Sequence, residues 1–239
     1  MCLVVLAFQV YKSVPLLVAA NRDEFHARPT RDADWWPDTP DVLAGRDLQA
    51  GGTWLGVHRS GRFAAVTNYH DDPPPPGTFE SRGRLVSDYL LGSKDPMDYL
   101  QTIDGETFAG FNLLLGNPRQ VGYMSNRGTG MRELSPGIYG LSNATLDSTW
   151  DKVERSKERL AKLVAAGGPD DSALFELLAD TGDGSVRAPF VVDKRFGTRC
   201  STIVRADHSG RWAFVERRFN AHGEVTGETS LSFGSVDPQ

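Results

Sequence analysis

The stretch that decides the fold is CLVVLAFQVYKSVPLLVAANRDE, residues 2–24. Residues 2–10 and 14–21 are runs dominated by Val, Leu and Ala with no polar face, the pattern of strands buried on both sides of a sheet. Tyr11, Lys12 and Ser13 separate the runs and supply a turn. Folding the segment about Lys12 sets Val10 against Val14 and Cys2 against Arg22. Asn21 and Asp23 then fall one residue to either side, with Glu24 beyond. A thiol, a guanidinium, an amide and two carboxylates are thus expected at one end of a buried hairpin.

Such a gathering suits nucleophilic chemistry. The thiolate is the reactive form of cysteine, and a neighbouring cation favours it. Removal of Met1 is expected, because cysteine is small enough to follow a cleaved methionine, and it would leave Cys2 with a free α-amine. That amine titrates at about 7.7–8.0, which fits a general base near neutral pH. Asp23 or Glu24 would orient it. The bland alternative is equally concrete. Cysteine packs well as a small apolar side chain, and Arg22, Asp23 and Glu24 would then be a solvated strand end carrying a surface ion pair.

Downstream, residues 28–50 are rich in Pro, Asp and Arg and read as a surface loop. GGTWLGVHRSGRFAAVTNY (51–69) reads as a hairpin turning at Arg59–Arg62, stopped by HDDPPPPG, whose prolines cannot continue a ladder. A helix is expected over 80–91 and a second from Asp95-Pro96, an N-cap followed by proline at the first helical position. GFNLLLGN and QVGYMSN form a hairpin, and GIYGLSN a further strand. Residues 148–166 form a helix with Trp150, Val153, Leu160, Leu163 and Val164 on one stripe, ended by Gly167-Gly168-Pro169. A shorter helix covers 171–180, a hairpin follows within 198–219 turning at 208–210, and a last strand lies near 229–233. Strand blocks joined by hairpins, with helices between the blocks, indicate an α+β fold of antiparallel sheets rather than βαβ units, in one domain over 1–239.

Composition narrows the function. The 239 residues carry a net charge of −5, which argues against a nucleic-acid binder. No apolar run approaches the roughly 20 residues of a membrane span, and no basic leader precedes the first apolar run, so a cytoplasmic protein is expected. The two cysteines, Cys2 and Cys200, give no zinc or disulfide signature; a bridge between them is the weaker reading in a reducing compartment.

The opening MC and the ANRDE at 20–24 resemble the NRDE family, also called the Transport and Golgi organisation protein 2 family. So do GGTWLG (51–56), VTNY (66–69), SRGRLV (81–86), GFNLLLG (110–116), GLSNA (140–144) and FGTRCSTI (196–203), in order. That family is similar to N-terminal nucleophile hydrolases of the cysteine branch, which includes bile salt hydrolases and penicillin V acylases. The resemblance implies a four-layer αββα sandwich with Cys2 as nucleophile. Arg22 and Asp23 would lie beside it, although a gapless match to the acylases sets Asn21 and Glu24 there instead. It further implies Asn68 as an oxyanion donor, Asn143 as a second substrate-binding asparagine and Arg199 near the thiol, with Tyr69 and His70 on the substrate side. Turn or cap chemistry is the alternative for both asparagines, and a surface ion pair for Arg199. Cys200, where the family would have serine, is expected to be core. The implied reaction is cleavage of a non-peptide amide through an acyl-enzyme, with no metal or organic cofactor required. The rival is a carrier of haem or acyl-CoA on the same scaffold, with Cys2 or His70 as a haem ligand.

GLSNA also approaches a nucleophile elbow, with Ser142 as nucleophile and His208 or His222 as base. The helix that an elbow needs does not follow at once. The five histidines, at 26, 58, 70, 208 and 222, form no metal-ligand spacing.

Overall fold

The computed structural model describes residues 2–71, 76–128, 130–182 and 187–235. Met1 and the prolines at 73–75 lie outside the described residues. In chain order the strands are β1 (Leu3–Phe8), β2 (Leu16–Phe25), β3 (Thr30–Trp36), β4 (Thr39–Asp47), β5 (Leu55–His58) and β6 (Arg62–Asn68). Helices α1 (Gly83–Leu91) and α2 (Pro96–Gln101) follow, then β7 (Phe111–Gly116), β8 (Val121–Ser125), β9 (Gly130–Glu133) and β10 (Gly137–Leu141). Helices α3 (Asp151–Ala165) and α4 (Asp171–Leu178) precede β11 (Phe196–Ala206), β12 (Arg211–Phe219) and β13 (Val225–Gly234).

The chain divides into two compact units. The first holds Met1–Arg28, Pro136–Ser142 and Leu146–Gly234; the second holds Pro29–Ser135 with Asn143–Thr145 and Ser235–Gln239. Each is built on one antiparallel sheet with helices, as the α+β reading expects. In the first unit the strand order is β10-β1-β2-β11-β12-β13, which places the opening hairpin centrally. Its pairing runs Leu3↔Asn21, Val4↔Ala20 and on to Phe8↔Leu16, the register expected from a turn about Lys12. Every residue of β1, and β2 through Asp23, is buried. One face of this sheet carries Leu3, Val5, Ala7, Leu17, Ala19, Ile203 and Val215, packed with Val153 and Leu160 of α3 and Leu174, Leu177 and Leu178 of α4. Trp150, Leu163 and Val164 of the expected stripe join the same cluster.

In the second unit the order follows the sequence, β3-β4-β5-β6-β7-β8-β9. Its core joins Ala64, Val66, Leu113 and Leu115 of the sheet to Leu85, Val86, Tyr89 and Leu90 of α1 and Leu100 of α2.

Several boundaries depart from the sequence reading. The segment 28–50 is no loop: it forms β3 and β4. Strand β3 lies at a sheet edge, where charged side chains are tolerated and keep the edge from pairing with another chain. Its aromatics sit beneath cations, Arg59 over Trp35 at 3.8 Å and Arg46 over Trp36 at 4.2 Å. The opposite edge strand, β9, is short and mostly exposed, so it has no apolar period to betray it. Helix α3 begins at Asp151 rather than 148, and β13, another edge strand, is longer than expected. Asp95 stands at the N-cap of α2 but makes no side-chain capping bond, whereas Asp170 caps α4 by accepting from Ala173 N.

Candidate functional site

The end of the opening hairpin assembles the groups the sequence placed there. Cys2 precedes the Leu3↔Asn21 pair and so lies across from Arg22. On its other side Arg22 pairs with Cys200 of β11. Strand β2 therefore separates the two cysteines by two strand spacings, about 10 Å, beyond disulfide reach, and both are free. Cys200 is buried, as expected of a core residue, and burial with the nearby Glu216 carboxylate holds its thiol well above the usual range.

Cys2 is only partly buried as a residue. Its sulfur lies 3.9 Å from the Asp23 carbonyl oxygen, to which the thiol donates. Burial pushes the thiol pKa up and the Asp23 carboxylate adds to that, while the Arg22 guanidinium opposes it. The carboxyl of Asp23 is itself raised by burial; Lys152 and a bond from Thr198 Oγ1 at 2.7 Å pull it back. Thr198 sits opposite Asp23 across the β2–β11 ladder.

The other members of the motif do different work. Asn21 faces the helices: Nδ2 donates to the carbonyls of Leu178 and Pro189, both at 2.8 Å, and Oδ1 accepts from Ser201 Oγ at 2.6 Å. This buried amide ties β2 and β11 to the end of α4. Glu24 Oε1 accepts from Phe25 N at 2.8 Å, and Oε2 stands 3.8 Å from Arg22 and 4.0 Å from Arg28. Arg199 Nη1 donates to the carbonyls of Phe25, His26 and Arg28 at 3.0–3.3 Å, clamping the turn after β2.

Two residues that the sequence reading did not assign to this site converge on the Cys2 main chain. Ser142 Oγ donates to the Cys2 carbonyl at 2.7 Å, and Lys152 Nζ reaches the same oxygen at 3.4 Å. Ser142 is fully buried. His208 lies at the opposite end of the sheet, its Nε2 bonded to Lys12 O in the β1–β2 turn, and His222 lies in the turn before β13. The elbow reading therefore fails on geometry. Lys152 had a faint signal: it shares a helical stripe with Ser156 and Leu160, an unusual place for a lysine. It lines a cleft of about 500 Å³ with Trp150, Arg155, Arg187 and Pro189.

The remaining predicted residues belong to the second unit. Asn143 is buried and its Nδ2 donates to Asn68 O at 2.7 Å; its own carbonyl accepts from His70 N at 2.7 Å. It thus pins the end of β6. Asn68 and His70 are exposed, and Tyr69 is half-buried with its N–H on Gly110 O.

With that geometry in place, likeness to known proteins is informative. Two solved structures share the fold: an N-acylethanolamine-hydrolyzing acid amidase orthologue from Caenorhabditis elegans and a mutant conjugated bile acid hydrolase from Clostridium perfringens. The first has a TM-score of 0.55 at 9% identity, over 84% of this chain and 92% of that one. The second has a TM-score of 0.54 at 9% identity, over 97% of this chain and 92% of that one. A curated relative, the Transport and Golgi organization protein 2 homolog of Bos taurus, is 33% identical over 252 aligned residues, 90% of each chain. The family model described as Transport and Golgi organisation 2 matches residues 1–221, the opening hairpin and nearly all that follows, and the chain belongs to that family.

Proposed function

We propose that the protein is a cysteine amidohydrolase of the N-terminal-nucleophile type, cleaving a non-peptide amide through an acyl-enzyme. One observation carries this reading: the Cys2 sulfur stands at the polar end of an otherwise apolar hairpin, beside Arg22 and Asp23, on a residue that is only partly buried. The fold shared with an amidase and a bile acid hydrolase supports it, although fold alone does not fix function.

In the proposed reaction, removal of Met1 frees the α-amine of Cys2, which takes the thiol proton. The thiolate attacks the amide carbon, and the carbonyl oxygen takes up the negative charge. Collapse breaks the C–N bond, and the leaving amine takes its proton from the α-ammonium. Water then attacks the thioester, giving its proton to the α-amine and releasing the acid. Asp23, steadied by Thr198, holds the α-ammonium, and Arg22 favours the thiolate. Both cysteines are free, which suits the reducing cytoplasm expected from the sequence.

The test is incubation with an activated amide or a β-lactam, followed by intact mass. Expected is a protein lacking Met1 that gains one acyl group, and no adduct in Cys2→Ala. Retained Met1, or no adduct where Cys2→Ala binds ligand normally, overturns the hydrolase reading in favour of a carrier. Burial that keeps the thiol protonated is the observation on that side. A Soret band lost in Cys2→Ala or His70→Ala would identify the cargo as haem.

A further inference from the structure

Lys152 stands second in α3, on the buried stripe with Val153, Ser156 and Leu160, and is 3% exposed. An ammonium in that position carries a desolvation cost that an alkyl side chain would not. Its amine is aimed at the chain's reactive end: Nζ lies 3.4 Å from the Cys2 carbonyl oxygen, which Ser142 Oγ binds from 2.7 Å. Two donors from separate elements thus converge on one peptide oxygen. The charged groups that act on this corner are the amino terminus, Arg22 and Asp23 from β2 and Lys152 from α3. Of these, Asp23 works against a thiolate at Cys2, and Arg22 works for it.

We propose that Lys152 is a positioning residue for Cys2, fixing its carbonyl together with Ser142 and supplying a buried positive charge that offsets Asp23 and makes the Cys2 thiolate easier to form. The proposal rests on the reading of Cys2 as nucleophile. Burial depresses the Lys152 ammonium, and the Asp23 carboxylate and the Cys2 sulfur restore it, so the three groups are coupled. Lys152 also lines the 500 Å³ cleft, with Trp150, Arg155, Arg187 and Pro189.

The experiment is alkylation of Cys2 by iodoacetamide in the full chain on a Cys200→Ala background, followed by mass across pH. The thiolate displaces iodide and forms a thioether, the thiol proton having gone to solvent. Lys152→Met is expected to raise the pH midpoint by about one unit and to slow the reaction at pH 7 about tenfold. Lys152→Arg restores most of the rate, and Ser142→Ala leaves the midpoint in place. If Lys152→Met does not fold, Lys152→Gln keeps a donor, drops the charge and carries the same expectation. A midpoint unchanged in the charge-removing variants, with only a lower melting temperature, overturns the proposal. Alkylation needs no amide substrate, so a chain that never cleaves amides can still show the shift. An unshifted midpoint in an active hydrolase would sink only the role of Lys152.

Discussion

Asp23 and Lys152 pull the Cys2 sulfur in opposite directions, and single substitutions separate them. Asp23→Asn removes a negative charge that disfavours the thiolate, so Cys2 alkylates faster at neutral pH. On the proposed hydrolase mechanism, amide turnover falls in the same variant, because the α-ammonium would lose its carboxylate. Faster alkylation with slower turnover, measured on one preparation, checks the assignment; a parallel fall in both would show Asp23 to be merely structural. Asn143 makes a different case. Its buried Nδ2 holds the Asn68 carbonyl, so Asn143→Ala is expected to lower stability by about 1–3 kcal/mol, read by urea unfolding, whatever its effect on chemistry.

At the scale of elements, turns and helix ends were legible because their chemistry is local. Gly167 and Gly168, at φ 108° and 99°, end α3 where the sequence predicted, and the Lys12 turn fixed the β1–β2 register. The edge strands β3 and β9 were not legible, because they carry charge where a buried strand would carry an apolar period. Gly116 closes β7 at φ 153°, and a methyl group there would run into the backbone of Gln120 and Val121. Gly116→Ala should therefore cost more than about 1 kcal/mol, seen as a lower urea midpoint. In α3, Leu160 is fully buried in the helix–sheet core, and Leu160→Ala is expected to cost roughly 2–5 kcal/mol in the same assay.

Across the whole molecule the net charge is −5, and many of its charged side chains are paired, as in Arg46–Asp38, Arg155–Asp180 and Arg217–Glu228. No helix among the described residues is long and apolar enough to cross a membrane. The sequence by itself determined the α+β class, the opening hairpin with its register, and the meeting of Cys2 with Arg22 and Asp23. Those follow from periodicity and from a turn a few residues away. Only the tertiary structure decided what stands against that corner: Ser142 and Lys152 lie 140 and 150 residues from Cys2, and Thr198 lies 175 from Asp23. No local period encodes such neighbours. They are set by which strand pairs with which and by how α3 seats its buried stripe on the sheet, and packing over the whole unit settles both.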